Sequence, residues 1–307
     1  MFYVRQKLCD FLHVAWEDAS RGLPNESYWI DALTIDQFNI SERNHQVTQM
    51  GQIFNQAICV HMWLGTLPAA VPVGLFRAMR SGEKRISLQE WKTFFDNKHV
   101  ISKLIFNNDY FNRTWMTQEV LLARHAVIRL GNELITLEQT IAGLQRFGLD
   151  KHHPELKHSP FLPFMEFRRE DFAGMNLILV LKQFYGKKCE NPRDRIYSLL
   201  SLCSHQGRGI DVDYGTPVLE VAINVLRECH RSFCLCSIVM LLVALGMREK
   251  GATDAYLDDA DKLVVELDLC TETKQPDAMT ALRRDSTVTV QDVRTLEGTI
   301  PMNKACT

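Results

Sequence analysis

The amino-acid sequence predicts an α/β fold built around parallel strands, and three patterns carry this prediction. Two short apolar runs, Tyr28–Leu33 and Cys59–Leu64, have the length and composition of buried strands. The polar stretch between them places its apolar residues on one face of a helix: Val47, Met50, Phe54 and Ala57. A third strand-like run, His125–Leu130, ends at a glycine. Because a strand, a crossover helix and a second strand follow one another, the first two strands are expected to be parallel neighbours in a covered sheet.

Helical patterns account for the N-terminal segment and for the connection between the first two strands. Apolar residues at helical spacing predict an amphipathic helix over Val4–Ala19, which ends before a Gly-Leu-Pro turn. In the connecting helix Ser41 is the predicted N-cap. Glu42 in its first turn suits the positive end of the helix dipole.

Further helices are predicted on both sides of the third strand. Helical patterns cover residues 74–80, 87–95, 100–106, 175–184 and 233–246. Asn191-Pro192 and Thr216-Pro217 each combine a cap with a first-turn proline, and each predicts a helix. The Pro- and His-rich stretch 150–163 is a predicted loop. We therefore expect a sheet-containing region over 1–230, and over 231–307 a helical extension with a loosely structured tail.

Composition excludes several classes of protein. The net charge is −2, with basic and acidic residues interspersed, so no surface for nucleic acid is predicted. Nine cysteines without a CxxC pair suggest neither a disulfide framework nor a zinc site, and they favour reduced thiols in the cytoplasm. The apolar run 233–246 is shorter than the roughly 20 residues that a membrane span needs. A cytoplasmic protein without a membrane span is the expectation.

Three ordered blocks of the sequence resemble the fungal heterokaryon incompatibility (HET) domain. The first, Trp29–Gly65, follows the family pattern W-I-D-A-L-C-I-N-Q, then E-R, Q-V and W-L-G, with Thr34 in place of Cys and Asp36 in place of Asn. The second, Tyr110–Gly131, resembles F-x-R-x-W-x-x-Q-E followed by small and apolar residues and a strand. The third, Asn191–Leu202, resembles D-P-R-D-K-I-Y-G-L-L-G-L. The resemblance covers about residues 4 to 229.

HET domains usually open with a strand-and-turn block that resembles A-L-S-Y-V-W-G and precedes W-I-D-A-L. The chain lacks this block. The resemblance therefore implies a truncated or degenerate member of the family, or a misassigned start. The sheet is then expected to lack one strand, which leaves either an exposed edge or a substitute pairing.

The HET domain is in turn similar to the TIR domain, a flavodoxin-like α/β module in which some members cleave NAD. This resemblance implies a TIR-like parallel sheet core, truncated at its N-terminal strand and surrounded by many additional helices. TIR enzymes place a catalytic Glu four residues after a Trp at the start of a helix, and Trp115 and Glu119 keep that spacing. The resemblance thus implies that Glu119 is the catalytic carboxylate and that Trp115 helps to bind NAD, as a substrate rather than a permanently bound cofactor. A carboxylate suits this reaction, because breaking the nicotinamide–ribose bond develops oxocarbenium character.

Asp31 and Asp36, near the end of the first predicted strand, are further candidates for binding NAD. Two of these residues also have a purely structural interpretation. Asp36 precedes a helix, where a turn or cap residue is common. Glu119 could form an ion pair with Arg113 instead of acting on a substrate. Arg193, Asp194 and Arg195 could bind an anion, or Asp194 could cap its helix reciprocally with Asn191. The three histidines of the 150–163 stretch lack the spacing of metal ligands, so no metal site is predicted.

Two hypotheses of function follow from the resemblance, together with a third in which the chain is an inactive truncated paralogue. In the first, the protein depletes NAD during programmed cell death that follows self/non-self recognition in fungi. In the second, it is a death-signalling module that acts through protein partners or self-association and catalyses nothing. The sequence leaves open whether the protein is an enzyme, since no GxSxG, GxxxxGK[ST], GxGxxG or HExxH motif is present.

Overall fold

The computed structural model describes residues 5–21, 27–68, 74–80, 87–149, 154, 156–157, 159–172, 174–184, 186–203, 209–229 and 235–247. The histidines of the predicted loop at 152, 153 and 158 lie outside the described residues, as does the tail after residue 250. The chain divides into two units, Met1–Gly215 and Thr216–Thr307.

Helices make up most of the described part of the first unit. In chain order they are α1 (Gln6–Ser20), α2 (Asp31–Thr34), α3 (Ile40–Gln56), α4 (Gly74–Arg80), α5 (Leu88–Asp96), α6 (Lys98–Ile101), α7 (Met116–Leu122), α8 (Leu137–Arg146), α9 (Leu162–Glu166), α10 (Arg169–Phe172), α11 (Leu177–Phe184) and α12 (Asp194–Leu200). A π-helical turn, Ser102–Phe106, continues α6, and a 3₁₀ turn, Asp109–Asn112, precedes α7.

The sheet of the described residues is small and mixed. Its strands are β1 (Val60–Gly65), β2 (Ala126–Leu130) and β3 (Glu133–Thr136), in the order β1-β2-β3. β1 and β2 are parallel, and β2 and β3 form an antiparallel hairpin. Gly131 provides the left-handed turn between them, with φ at +55°. The α/β class is confirmed, but the sheet is not wholly parallel.

The predicted strand over Tyr28–Leu33 is wrong. Residues 27–30 are extended without sheet pairing, and Asp31 begins the single helical turn α2. The Asp31 carboxylate accepts a hydrogen bond from the Ala32 amide at 2.7 Å, and the Thr34 hydroxyl donates to the Ile30 carbonyl at 2.9 Å. These short polar side chains therefore offer the backbone local partners in place of a strand ladder. The parallel neighbour of β1 is consequently β2.

The aromatic residues of that apolar run are packed against helices and against one face of β1. Trp29 packs edge-on against Phe54 of α3, with ring centroids 5.8 Å apart. Tyr28 contacts Phe11 of α1 and His61 of β1 in the same geometry. A short apolar run does not distinguish a buried strand from an extended segment under helices, and here the second packing is observed.

Helix α3 has the predicted buried face but a different N-cap. Val47, Met50 and Phe54 are buried, as the spacing predicts, whereas the fourth predicted residue, Ala57, is the half-buried C-cap. The cap is Asn39, whose side chain accepts from the Glu42 amide at 3.1 Å, whereas the predicted cap, Ser41, lies inside the first turn. The Glu42 side chain in turn accepts from the Asp36 amide at 3.1 Å, so it joins the preceding turn to the start of the helix rather than completing a capping box with the amide of Asn39.

Helix α1 covers one face of the sheet and meets a buried charge there. Phe11 packs against Trp63 of β1, and Trp63 is paired in register with Arg129 of β2. The Arg129 side chain is only 2% exposed, and its guanidinium donates to the Asp18 carboxylate of α1. Because a buried guanidinium requires a counter-charge, this ion pair fixes the position of α1 on the sheet.

The other predicted helices of the first unit match the structure within about two residues at each end, the uncertainty expected of helix boundaries. In the second unit, α13 (Val218–Glu228) and α14 (Leu235–Ala244) confirm the helices that were predicted after Thr216-Pro217 and within 233–246. The apolar residues at helical spacing in α13 begin with Val218, which is half-buried, and the remaining five are buried: Val221, Ala222, Val225, Leu226 and Cys229. Within the described part of the chain, no helix has the length and apolar character required to cross a membrane.

We predict that Asp18→Ala destabilises the fold by about 3–5 kcal/mol, because it leaves the Arg129 guanidinium buried without its counter-charge. Urea unfolding measures the difference. Asp10→Ala is the matched control, since Asp10 lies on the same helix and its carboxylate accepts from the exposed Gln6 side chain instead of from a buried cation. Its effect is expected to stay within about 0.5 kcal/mol. Equal losses in the two variants would contradict the role assigned to the ion pair.

Candidate functional site

The candidate site forms where the 3₁₀ turn and α7 meet. Glu119 lies in the first turn of α7, and Tyr110 lies in the 3₁₀ turn nine residues earlier. The Tyr110 hydroxyl donates a 2.8 Å hydrogen bond to Oε2 of Glu119. Tyr110 is buried, with 8% of its surface exposed, and Glu119 is partly buried. The carboxylate is therefore held from one side by a packed phenol and remains partly accessible.

Two charged side chains act on the Glu119 carboxylate at longer range. Burial raises the pKa of Glu119, the charge of Arg113 and the Tyr110 hydroxyl lower it, and the charge of Asp31 raises it again; the net shift is upward. Burial lowers the pKa of Arg113, but Glu119, Tyr110 and Asp31 more than offset this effect, so its net pKa is raised. The guanidinium thus stays charged beside two carboxyl groups.

Tyr110 is a hydrogen-bond donor throughout the ordinary pH range. Its pKa is raised well above the usual value, first by burial and then by the charge of Glu119 and the hydrogen bond to it. Deprotonation would place a second negative charge beside a buried carboxylate, which is unfavourable at low dielectric. Tyr110 can orient Glu119 and stabilise its charge, but its raised pKa makes it unsuitable as a base near neutral pH.

The 3₁₀ turn is anchored to the carboxyl end of β1. The Asn108 side chain donates to the carbonyl of Leu64 at 3.0 Å, and its oxygen accepts from the Tyr110 amide at 3.0 Å. The Asn108 side chain thereby ties the position of Tyr110 to the carboxyl end of β1. The carboxyl ends of parallel strands are where open α/β sheets bind ligands. Part of the loop that follows β1, residues 69–73, lies outside the described residues.

The segment between Tyr110 and α7 is fixed at two further points. Thr114 donates to the Lys188 carbonyl through its amide at 3.0 Å and through its hydroxyl at 3.1 Å, and Arg113 forms an isolated parallel bridge with Lys188. Behind the turn, the buried Lys187 ammonium donates to the carbonyls of Phe111 and Pro160. Burial lowers the pKa of Lys187 to about 8.

Trp115 occupies the N-cap position of α7, and its side chain contacts a different carboxylate from that of Glu119. It hydrogen bonds to the Asp194 carboxylate, which also accepts from the Tyr214 hydroxyl at 2.6 Å. The guanidinium of Arg43 lies 3.6 Å from the centroid of the Tyr214 ring. Burial raises the pKa of Asp194 more than these hydrogen bonds and the charge of Arg43 lower it. The network holds the start of α7 against α3 and α12.

Asp194 therefore does not cap its helix reciprocally with Asn191, as one reading of the sequence predicted. Asn191 does accept from the Arg193 amide at 3.1 Å, so half of the predicted arrangement is present. The Asp194 carboxylate is instead bound by Tyr214 and Trp115.

The four residues predicted to form the site have different surroundings. Glu119 and Asp31 interact electrostatically, and Trp115 is joined to Glu119 through the backbone, since its carbonyl accepts from the Glu119 amide at 3.2 Å. Asp36 lies in an exposed turn, where its carboxylate accepts from the Phe38 amide at 3.0 Å. The structure thus assigns Asp36 a turn-stabilising contact.

Sequence reasoning did not single out Tyr110 or Asn108. Tyr110 is nine residues from Glu119, a separation with no helical or strand periodicity, so only the fold brings them together. The sequence did offer Arg113 as a partner for Glu119, and Arg113 acts on it through its charge. Among the described residues, no group of three or more His, Cys, Asp and Glu side chains could hold a metal ion.

The arrangement suits the stabilisation of a positive charge. A partly accessible carboxylate of fixed orientation, with one further carboxylate nearby and one guanidinium, leaves a net negative charge in partly desolvated surroundings. Such a group interacts strongly with a cation or with positive charge that develops during bond cleavage.

Comparison with known proteins identifies one family. Residues 3–119 match the family model described as Heterokaryon incompatibility protein (HET). The matched segment ends at Glu119, so it includes the first of the three blocks that carry the resemblance and the beginning of the second, residues 110–119. No curated protein and no solved structure matches the chain.

We predict that Glu119→Gln becomes progressively more stable relative to the wild type as pH rises above 4.5, the ordinary pKa of a glutamate. The folded pKa is raised, so the folded protein binds the proton more tightly than the unfolded chain, and the wild type loses stability as the carboxyl ionises. Gln cannot ionise and escapes this loss. Urea unfolding of both proteins at about pH 4.5 and about pH 7.5 measures the change. A difference that is constant between these pH values would contradict the raised pKa.

Proposed function

Because the chain is a heterokaryon incompatibility (HET) domain protein over residues 3–119, we propose that it hydrolyses NAD in the cytoplasm of a fungal cell during incompatibility-triggered cell death. Glu119 is the residue that carries this reaction. NAD enters as the substrate, and the core is of the TIR type.

The observation that carries the proposal is the position of Glu119. The carboxylate lies in the first turn of a helix, four residues after a tryptophan and beyond a strand with a parallel neighbour, as in TIR enzymes. It is partly buried and oriented by Tyr110. If Glu119 served only to stabilise the N-terminus of α7, its carboxylate would not require a buried tyrosine hydroxyl as a hydrogen-bond donor.

The chemistry follows from the charge of this group. As the bond between nicotinamide and ribose breaks, the bonding electrons leave with nicotinamide, which becomes neutral, and positive charge develops at the anomeric carbon. The ionised Glu119 stabilises that charge. Water then attacks the anomeric carbon and loses a proton, so the products are ADP-ribose, nicotinamide and one proton. Asp31 adds to the negative potential, and the guanidinium of Arg113 is available to the phosphates of the substrate.

We expect Glu119→Gln to lower the rate of NAD cleavage by at least about 100-fold, because the amide cannot stabilise the oxocarbenium charge. Purified wild type and variant are incubated with NAD, and nicotinamide release is followed by chromatography. Glu138→Gln is the matched control: Glu138 is an exposed glutamate in the first turn of α8. Its activity is expected to equal that of the wild type. Equal cleavage by wild type and Glu119→Gln would sink the assignment of Glu119.

A second candidate function, self-association in death signalling, is favoured by a different observation. Three large apolar side chains are exposed within eight residues at the junction of α2 and α3: Leu33 at 45%, Phe38 at 97% and Ile40 at 50%. Single exposed apolar residues are ordinary, but a short segment that presents three of them is typical of a contact surface. A second copy of the chain is the partner that this hypothesis names.

For this second function we expect Phe38→Ser to weaken self-association by about tenfold or more, since it removes a fully exposed aromatic ring from the contact. Sedimentation velocity over a range of protein concentrations measures the change. Leu88→Ser, which alters an 84% exposed residue on α5, controls for general loss of surface hydrophobicity. A wild type that stays monomeric at every concentration, or equal effects of both substitutions, would count against self-association through this segment.

A further inference from the structure

We propose that Tyr110 is a positioning residue for the candidate reaction: its hydroxyl fixes the orientation of the Glu119 carboxylate and keeps that group as the ionised acceptor on which oxocarbenium stabilisation depends. The catalytic part of this inference rests on the proposed function. The coupling between the two side chains does not, and it can be measured without any substrate.

The first argument is geometric. The hydroxyl of Tyr110 lies 2.8 Å from Oε2 of Glu119, and the Tyr110 backbone is held by Asn108, which is itself bound to the carbonyl of Leu64. The Tyr110 ring packs edge-on against Phe111, with centroids 5.4 Å apart. The donor is therefore immobile relative to β1. A glutamate has three rotatable side-chain bonds, and a fixed donor on one oxygen selects the conformer that presents the other oxygen to a substrate.

The second argument concerns the charge state. Burial favours the neutral carboxyl, and the charge of Asp31 acts in the same direction. The charge of Arg113 opposes them first, and the hydrogen bond from Tyr110 opposes them second. Arg113 is partly desolvated but keeps exposed surface, so salt and substrate phosphates screen or engage its charge. Tyr110 is buried, and its hydrogen bond is not screened. Tyr110 is therefore the partner whose support of the ionised carboxylate is least sensitive to salt and to bound phosphates.

The third argument separates orientation from proton transfer. The pKa of Tyr110 is raised well above its usual value by burial and by Glu119. The phenol therefore remains a donor at every pH at which the protein works, and Tyr110 does not take the proton that the attacking water loses. Tyr110 acts through the orientation and the ionisation of the Glu119 carboxylate, so removal of its hydroxyl is expected to affect kcat more than KM.

The test compares Tyr110→Phe with Tyr197→Phe. Both variants keep the ring and remove a buried hydroxyl; that of Tyr197 donates to the Asp213 carbonyl at 2.8 Å and has no contact with Glu119. The titration of the Glu119 carboxyl is followed by ¹³C NMR of glutamate-labelled protein, with its signal assigned from Glu119→Gln. We expect the midpoint to move to higher pH in Tyr110→Phe and to stay unchanged in Tyr197→Phe. In NAD cleavage, Tyr110→Phe is expected to lower kcat at neutral pH on the order of tenfold and to move the acid limb of the pH profile upward.

A second test of the coupling strengthens the tyrosine hydroxyl as a donor without removing it. Replacement of tyrosine by 3-fluorotyrosine makes the phenol a stronger donor, and it is expected to move the Glu119 midpoint to lower pH. This measurement applies even if Tyr110→Phe does not fold. An unchanged midpoint in both experiments overturns the role of Tyr110, whether or not NAD is cleaved. A shifted midpoint in a wild type that releases no nicotinamide supports the coupling and overturns the proposed reaction.

Discussion

The desolvation of a single carboxylate, that of Glu119, is the constraint on which the rest of the site depends. A partly desolvated carboxylate requires donors or counter-charge, and each neighbouring element supplies part of this requirement. The 3₁₀ turn supplies the Tyr110 hydroxyl, and the bridge to Lys188 positions the segment that contains Arg113. The turn itself is secured to β1 through Asn108. The polar groups around α7 thus form a chain of contacts that begins at the end of a strand and ends at the carboxylate.

Helix α7 is also held from its other sides by polar contacts. At its start, Trp115 is bonded to Asp194, which Tyr214 and Arg43 cover. One turn further, the buried Gln118 amide, in the orientation that satisfies both partners, accepts from the Gly51 amide of α3 at 2.6 Å and donates to the Ser198 carbonyl of α12 at 3.0 Å. Gly51 permits this approach, because a side chain there would collide with Ser201. Buried networks of this kind cost stability when one member is lost, and they specify a single arrangement of the helices.

The sequence predicted the parts of the fold that repeat with a regular period. The buried faces of α3 and α13 and the positions of β1 and β2 follow from apolar spacing alone. It failed at Tyr28–Leu33, where local hydrogen bonds of Asp31 and Thr34 outweighed an apolar run too short to define a strand. Glu119 was found through resemblance, whereas its partner Tyr110 and the Asp194 contact with Trp115 could not be found, because contacts between distant or aperiodic positions leave no pattern in a single sequence.

The parallel pairing of β1 with β2 has a consequence for when the site can exist. The residues between Gly65 and Ala126 form a loop that is closed when the two strands pair. Tyr110, Arg113 and Glu119 lie within this loop. Closure of so long a connection is slow, because its entropy is lost before the strand contacts compensate for it. The tie between Trp115 and Asp194 further requires residues synthesised well after β2. A nascent or partly unfolded chain therefore carries Glu119 without the side chains that orient it, and the site forms only after the residues beyond β2 have been added to the chain.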